Sequence, residues 1–299
     1  MRLAYLASPR TGSRYKYHAM FSRVADVSVT DDPSGFDGAV VFGDRGTEWR
    51  RCVDARVPFV LVENDVATLR VPKLDDTNER EMHLHARAVL YPSEAMRDYC
   101  LSRYRVRHAE VVHLRPLARD LDFTPREKQP RTLVYAGGIR DTGGGRGRGY
   151  GYRLYHGIFA SAIAAGWRVV VLPSTPVKAL AGYTALGVEF MPHVPARDLY
   201  AALSAYAVGL QAYACDGYGM RFCLPNKTWE YLAAGIPTLG VGAGLAASIY
   251  HGRWGLAGGV DDMAANLAAL EGMTVPSNVR RQQVIDEDVS AFERLVGTL

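Results

Sequence analysis

Little in this sequence announces a metal, a membrane or a nucleic acid. Cysteine is scarce, and Cys52, Cys100, Cys215 and Cys223 are scattered with no CxxC or Cys/His ligand spacing. A structural zinc site is therefore not expected. No run approaches the roughly 18 consecutive apolar residues of a membrane-spanning helix. The start, MRLAYLASPRTGS, has a short apolar run that breaks at Pro9 and does not read as a signal peptide. The expected setting is a reducing cytoplasm. Charge of one sign is also lacking. Lys plus Arg number 35 and Asp plus Glu 31, a net of +4, too small to mark a nucleic-acid binder. The balance is even: residues 1–128 hold 21 basic and 19 acidic side chains, and 129–299 hold 14 and 12.

What is present is an ordinary globular chain. Its 299 residues are 48% hydrophobic and 22% charged; at about 150 residues per domain that is one large domain or two ordinary ones. Arg outnumbers Lys, which suits bidentate phosphate or carboxylate contacts but equally reflects a GC-rich genome.

Short Val/Leu-rich runs recur in the first half at 3–7, 27–29, 39–42, Phe59–Val62, Ala88–Tyr91 and 111–114. Near-continuous apolar runs predict strands covered on both faces, as in a parallel sheet. Helix-like segments at 79–87 and Glu94–Tyr104 fall between them, which is βαβ grammar. Residues 120–130, polar and with two prolines, read as a linker. The same grammar then resumes. Strands are predicted at 132–136, Arg168–Leu172, 188–191, 207–212 and Thr238–Val241, with helices at 153–165, 176–186, 196–205 and 227–234. The fold class is thus α/β, with two Rossmann-like βαβ domains facing each other across a cleft. The expected boundaries are 1–122, 131–276 and a final helical segment 277–299 that packs back on the first domain. Ligands of such sheets bind beyond the carboxyl ends of the strands.

The most informative stretch is 224–237, LPNKTWEYLAAGIP. Asn226 suits an N-cap, Gly235 a left-handed position after the helix, and Pro237 cannot continue it. The helix so bounded is about eight residues, roughly 12 Å. Free amides at Lys227, Thr228 and Trp229 and the positive dipole end suit a phosphate, and Lys227 adds a full charge. Glu230, one turn in, suits ribose hydroxyls rather than a diphosphate that would repel it. The plainer reading is a capped amphipathic helix with a solvated Lys and Glu.

PNKTWEYLAAGIPTLG resembles the nucleotide-sugar signature of the GT-B-fold glycosyltransferases, in particular the glycosyl transferases group 1 family. VLYPSEAMRDYC (89–100), TLVYAGGIR (132–140) and VEFMPHVPARDLYAALSAYAVGL (188–210) are similar to further segments of that family, in the right order. The resemblance covers about 88–240; the first 85 residues match only in grammar. It implies a nucleoside-diphosphate sugar, such as a UDP-sugar, as co-substrate. Glu230 would hold the donor ribose, and Asn226, Lys227 and Thr228 would stand at the diphosphate. Gly137 and Gly138 would admit the phosphate or sugar, with Arg140 the nearest cation. His193 and Val194 would flank the base through backbone groups, and Pro173 and Ser174 would line the same pocket. The family often has a second acidic residue eight positions before Glu230. Here that position is Phe222, and Asp216, Tyr218 and Arg221 are the available substitutes.

Other segments stay open. Residues 137–152 hold eight glycines and three arginines. They suit a lid closing Arg140, Arg146 and Arg148 on phosphate, a nucleic-acid backbone contact or a solvated loop. The loop 8–18 offers Arg10, Arg14 and Lys16 to an anionic acceptor and Tyr15 or Tyr17 as stacking rings, with Thr11 and Gly12 beside them; a basic surface turn is the alternative. Glu63 or Asp65 would take a proton from the acceptor hydroxyl if transfer inverts, and Asp65 equally suits a cap. His18, His83, His85 and His113 show no partner at a diagnostic spacing. The acidic triples 120–122 and 286–288 lack a strand-end setting for a metal. Transfer is therefore expected to be metal-independent, with Lys227 and Arg140 stabilising the leaving diphosphate.

The leading expectation is a retaining glycosyltransferase acting on an unnamed acceptor, whether small molecule, glycan or DNA. A DNA-modifying enzyme acting on hydroxylated bases and a non-catalytic nucleotide-sugar-binding protein are the alternatives.

Overall fold

The structure, a computed structural model, describes residues 1–7, 12–43, 46–63, 66, 76–106, 109–112, 123–140, 154–173, 180–213, 225–242, 252–276 and 289–299. It divides into two compact units. One joins Met1–Arg119 to Val284–Leu299, and the other is Asp120–Gln283.

The first unit is built on a parallel sheet of β1 (Arg2–Tyr5), β2 (Asp26–Val29), β3 (Gly38–Phe42), β4 (Phe59–Val62), β5 (Ala88–Tyr91) and β6 (Ala109–Val112). The spatial order is β2-β1-β3-β4-β5-β6. Every residue of β3, β4 and β5 is buried, as uninterrupted Val/Leu runs require when helices cover both faces. Its helices include α1 (Gly12–Val24), α2 (Glu48–Asp54), α3 (Thr77–His85) and α4 (Glu94–Tyr104). Helix α4 is closed at both ends by local chemistry. The Ser93 hydroxyl accepts from the Met96 amide at 3.1 Å, and Arg105 turns left-handed after the last turn.

The C-terminal helix, Val289–Val296, belongs to this unit. Phe292, fully buried, meets Phe21 of α1 edge-on at 5.0 Å and Tyr17 at 6.3 Å. A Cβ on Gly38 would stand 2.6 Å from Leu299 Cδ1, so the chain's last residue closes onto β3. Tyr17 is therefore core, packed also on Phe42 at 6.0 Å, and not a stacking ring for a ligand. Residues 12–18 are the start of α1 rather than part of a loop. Its Lys16 is buried as well.

The second unit holds β7 (Gln129–Ala136), β8 (Arg168–Leu172), β9 (Glu189–Phe190), β10 (Tyr206–Ala212), β11 (Thr238–Val241) and β12 (Gly255–Gly258). All pair in parallel, in the order β12-β11-β10-β7-β8-β9. Counted within the unit this is 6-5-4-1-2-3, the doubly wound dinucleotide-binding order. Its helices include α5 (His156–Ala164), α6 (Ala181–Ala185), α7 (Leu199–Leu203), α8 (Asn226–Ala234) and α9 (Met263–Glu271).

Two strands of this unit depart from the sequence reading in a way that has a physical cause. Strand β7 starts at Gln129, inside the polar stretch assigned to a linker. Its register against β10 shifts between Tyr206 and Val208, and Arg131 has φ +49°. Thr132 spans this irregularity, donating to the Gln129 carbonyl at 2.6 Å and accepting from the Ala207 amide at 3.0 Å. Strand β12, sequence GLAG, has no apolar alternation to betray it and is defined by pairing with β11.

Phe292→Ala is expected to cost about 3–5 kcal/mol by emptying a fully buried aromatic site. Urea unfolding followed by circular dichroism checks this; a cost below about 1 kcal/mol would contradict the docking of the final helix.

Candidate functional site

In a sheet of this order, ligands bind outside the carboxyl ends of the two strands where the winding direction reverses. In the second unit these are β7 and β10, neighbours in the sheet. Helix α8 lies over this point. Gly209 of β10 makes that possible, because a Cβ there would overlap the Tyr231 ring. The Tyr231 hydroxyl then reaches between the strands, accepting from the Ala136 amide at 3.0 Å and donating to the Leu210 carbonyl at 3.0 Å. Complete burial pushes this phenol far above its ordinary pKa, so it remains a neutral donor.

The chain leaving β7 is held just as closely. The Gly137 amide donates to the Leu172 carbonyl at 2.9 Å. The Tyr135 hydroxyl donates to the Gly138 carbonyl at 3.2 Å, with the Tyr155 hydroxyl 3.1 Å away. The Tyr183 hydroxyl accepts from the Tyr155 amide and donates to the Arg140 carbonyl, both at 2.8 Å. Four tyrosines thus fix residues 136–140.

The Lys227 side chain runs into the notch this segment leaves. Its ammonium stands 5.0 Å from the centre of the Tyr135 ring, a cation–π contact. A Cβ at Gly137 would meet Lys227 Cε at 2.7 Å and Nζ at 3.0 Å. Gly137 also has φ +148°, a conformation other residues rarely adopt. The missing Cβ thus admits Lys227; the phosphate approach expected from the sequence is a separate reading of the same glycine.

Helix α8 begins one residue earlier than the sequence suggested. Its cap position is Pro225, at φ −70° and ψ 145°, and Asn226 is the first helical residue with no capping side-chain bond. Proline ahead of Asn226 already presets an extended backbone, which displaces the asparagine from the cap. The Thr228 amide is occupied, donating to the Pro225 carbonyl at 3.2 Å. The amides of Asn226 and Lys227 are left without an intrahelical acceptor. Gly235 is left-handed at φ +77°, as its position after the helix predicts.

Buried polar groups on α8 and β10 have no hydrogen-bond partner among the described residues: Thr228 Oγ1, Trp229 Nε1 and both amide atoms of Gln211. Gln211 lies two residues beyond Gly209 on β10 and so shares the face on which Tyr231 packs. Thr228 and Gln211 are fully buried. Glu230 is 8% exposed. Val194 is half-buried against the cluster containing Tyr231, His193 is exposed, and Pro173 is buried just past β8. Ser174, Asp216, Tyr218, Arg221, Phe222 and most of the glycine–arginine segment lie outside the described residues.

In the first unit, Arg10, Thr11 and Asp65 lie outside the described residues, and Gly12 and Tyr15 are part of α1. Glu63, which follows β4, is described and buried. Its carboxylate lies over Gly43, where a Cβ would collide with it. His83 of α3 places Nε2 3.1 Å from Glu63 Oε2, while its Nδ1 lies 3.3 Å from the Tyr91 hydroxyl. His83 therefore has partners that no sequence spacing revealed: they come from β4 and β5. A second buried carboxylate, Glu79, accepts from the Tyr104 hydroxyl at 2.7 Å. Among the described residues no group of three or more His, Cys, Asp or Glu is arranged to hold a metal. No described helix is long and apolar enough to cross a membrane.

No protein-family description and no curated protein sequence matches the chain. Solved structures do. A sucrose-phosphate synthase from Thermosynechococcus elongatus is similar at TM-score 0.68 and 12% identity, over 99% of this chain and 97% of its own. HepE from Anabaena, in complex with UDP and glucose, is similar at TM-score 0.64 and 14% identity, over 99% and 98%. An α-glucosyltransferase in complex with UDP and a 13-mer DNA containing an HMU base is similar at TM-score 0.59 and 9% identity, over 98% and 95%. The chain has the GT-B fold of these glycosyltransferases.

Tyr231→Phe is expected to destabilise the protein by about 1–3 kcal/mol, because the Ala136 amide and Leu210 carbonyl lose a buried partner. The urea midpoint should fall with an unchanged m-value; an unaltered midpoint would contradict the bridging role.

Proposed function

We propose that the protein transfers a sugar from a nucleoside-diphosphate sugar to an acceptor hydroxyl. The observation that carries this is the placement of Lys227: a cation at the amino end of α8, in a gap only glycine leaves open, at the reversal point of a dinucleotide-type sheet. A lysine there opposes the helix dipole by itself and is stabilised once an anion arrives. The amides of Asn226 and Lys227 meet the donor diphosphate, with Arg140 beside them. Glu230, one turn along, takes the ribose hydroxyls. His193 and Val194 flank the base through backbone groups, and Pro173 and Ser174 line the same pocket. The partnerless Thr228 and Gln211 groups support a polar ligand or ordered water at this point.

Donor-bond cleavage places new negative charge on the leaving diphosphate. Lys227, Arg140 and the helix amides supply the compensating positive charge, sufficient for transfer without a metal. We assign retention of the anomeric configuration, as the resemblance of the 224–237 segment implies. Asp216, Tyr218 and Arg221 are assigned to the transferred sugar. Arg10, Thr11, Gly12 and Tyr15 are assigned to the acceptor, and Asp65 to its proton if transfer inverts. The buried thiols Cys52 and Cys100 agree with a cytoplasmic setting.

A thermal-shift panel of UDP-, GDP-, ADP-, TDP- and CDP-sugars tests the donor reading. One donor should raise Tm, and Glu230→Ala should weaken its binding about tenfold or more, the loss of hydrogen bonds to a charged group. Equal shifts in both proteins would contradict the role of Glu230. Release of free nucleoside diphosphate distinguishes an enzyme from a binding protein.

DNA is the second reading of the acceptor, favoured by the α-glucosyltransferase that shares the fold and was solved with DNA. Duplex binding that weakens steeply between 50 and 200 mM salt, by roughly tenfold or more, would support it. Absent or salt-insensitive binding would reject it.

A further inference from the structure

The glycine turn after β7 is held from beneath by tyrosine hydroxyls, and the direction of those bonds matters. Tyr135 and Tyr183 do not bind the turn's amides. They take its carbonyls, Gly138 at 3.2 Å and Arg140 at 2.8 Å. In a trans peptide the carbonyl and the following N–H point in opposite directions. Drawing the Gly138 carbonyl down towards Tyr135 therefore turns the Ile139 N–H the other way. That N–H has no acceptor among the described residues, and Ile139 is half-exposed. The Tyr135 ring meanwhile carries the Lys227 ammonium on its face at 5.0 Å.

One side chain thus controls two anion-binding elements, a backbone amide and a lysine. We propose that Tyr135 is a positioning residue for the diphosphate. Its hydroxyl holds the Gly138 carbonyl away from the anion and presents the Ile139 amide to it, and its ring sets the Lys227 ammonium beside that amide. Tyr183 fixes the far end of the same turn through the Arg140 carbonyl. With the Gly138 and Arg140 carbonyls held by hydroxyls, the Ile139 amide between them faces an anion as the donors of a backbone nest do. If the Gly138 peptide were free to rotate, it would present a repelling oxygen part of the time.

This inference rests on the donor reading proposed above. It predicts a loss confined to the phosphates that the turn contacts. Calorimetric titration of UDP and UMP against the full chain, its Tyr135→Phe variant and its Tyr183→Phe variant provides the test. Tyr135→Phe keeps the ring under Lys227 and removes only the hydroxyl. It should weaken UDP about fivefold, the worth of one hydrogen bond, and leave UMP within about twofold. Tyr183→Phe should move UDP in the same direction, and it decides the matter should Tyr135→Phe fail to fold. Equal losses on UDP and UMP, or none on either, would overturn the positioning role and leave the donor site standing. Where another base is the one bound, its own nucleoside di- and monophosphate take the place of UDP and UMP; a parent protein that binds none of UDP, GDP, ADP, TDP and CDP would overturn the donor reading, and this inference with it.

Discussion

The second unit depends on how α8 seats on β10 through Tyr231 and Gly209. A helix can approach a strand this closely only where a residue lacks a Cβ, and Gly209 supplies that. The approach brings the Tyr231 hydroxyl between β7 and β10, where it satisfies an amide of one and a carbonyl of the other. Everything placed near the amino end of α8 inherits its position from this seat. Lys227 lies four residues before Tyr231, about one helical turn, and so shares its face. A looser seat would lift the ammonium out of the Gly137 notch. The tyrosine is fully buried, and its uncharged hydroxyl makes the link without the desolvation cost a carboxylate or ammonium would carry there.

Lys227 is locally misplaced by ordinary helix chemistry. A cation in the first turn opposes the dipole by about 0.3–1 kcal/mol, and α8 has no acidic residue in that turn to offset it. The aromatic face of Tyr135 and the missing Cβ of Gly137 accommodate it nonetheless. Thr228 and Gln211 repeat the pattern: buried polar atoms without partners among the described residues, as Trp229 Nε1 and Thr238 Oγ1 also are. Proteins tolerate such local conflicts where a ligand resolves them. An incoming anion would resolve the charge conflict, and ordered water or ligand hydroxyls the polar one.

The fold was legible because strands buried on both faces leave long Val/Leu runs, and β4, β5, β8 and β11 coincide with the predicted segments. Strand β12 was not, since GLAG carries no periodicity and its strand character comes from its neighbour β11. The start of α1 was missed because SPRTGSR has the composition of a turn, while Met20, Phe21 and Tyr17 pull the segment into a helix on the core. At the site, Lys227 and Gly137 could be named from sequence, but their contact could not, because 90 residues separate them. The four tyrosines were invisible for a related reason. Nothing in a sequence records where a hydroxyl points, so Tyr135, Tyr155, Tyr183 and Tyr231 could not be told from tyrosines that merely pack.

The two sheets are not copies of one another. The first has the order β2-β1-β3-β4-β5-β6 and reverses between β1 and β3; the second reverses between β7 and β10. Near its own reversal the first unit keeps a buried ionisable cluster instead of neutral hydroxyls: Glu63 over Gly43 past the end of β3, with His83 and Tyr91 behind it. The difference has a physical consequence. Removing a hydroxyl from the second unit's scaffold leaves a neutral backbone group unsatisfied. Removing His83 deprives a buried carboxylate of a partner, a costlier change. The first unit's arrangement therefore rests on pairing between ionisable side chains, whereas the second's rests on hydroxyls bonded to backbone amides and carbonyls.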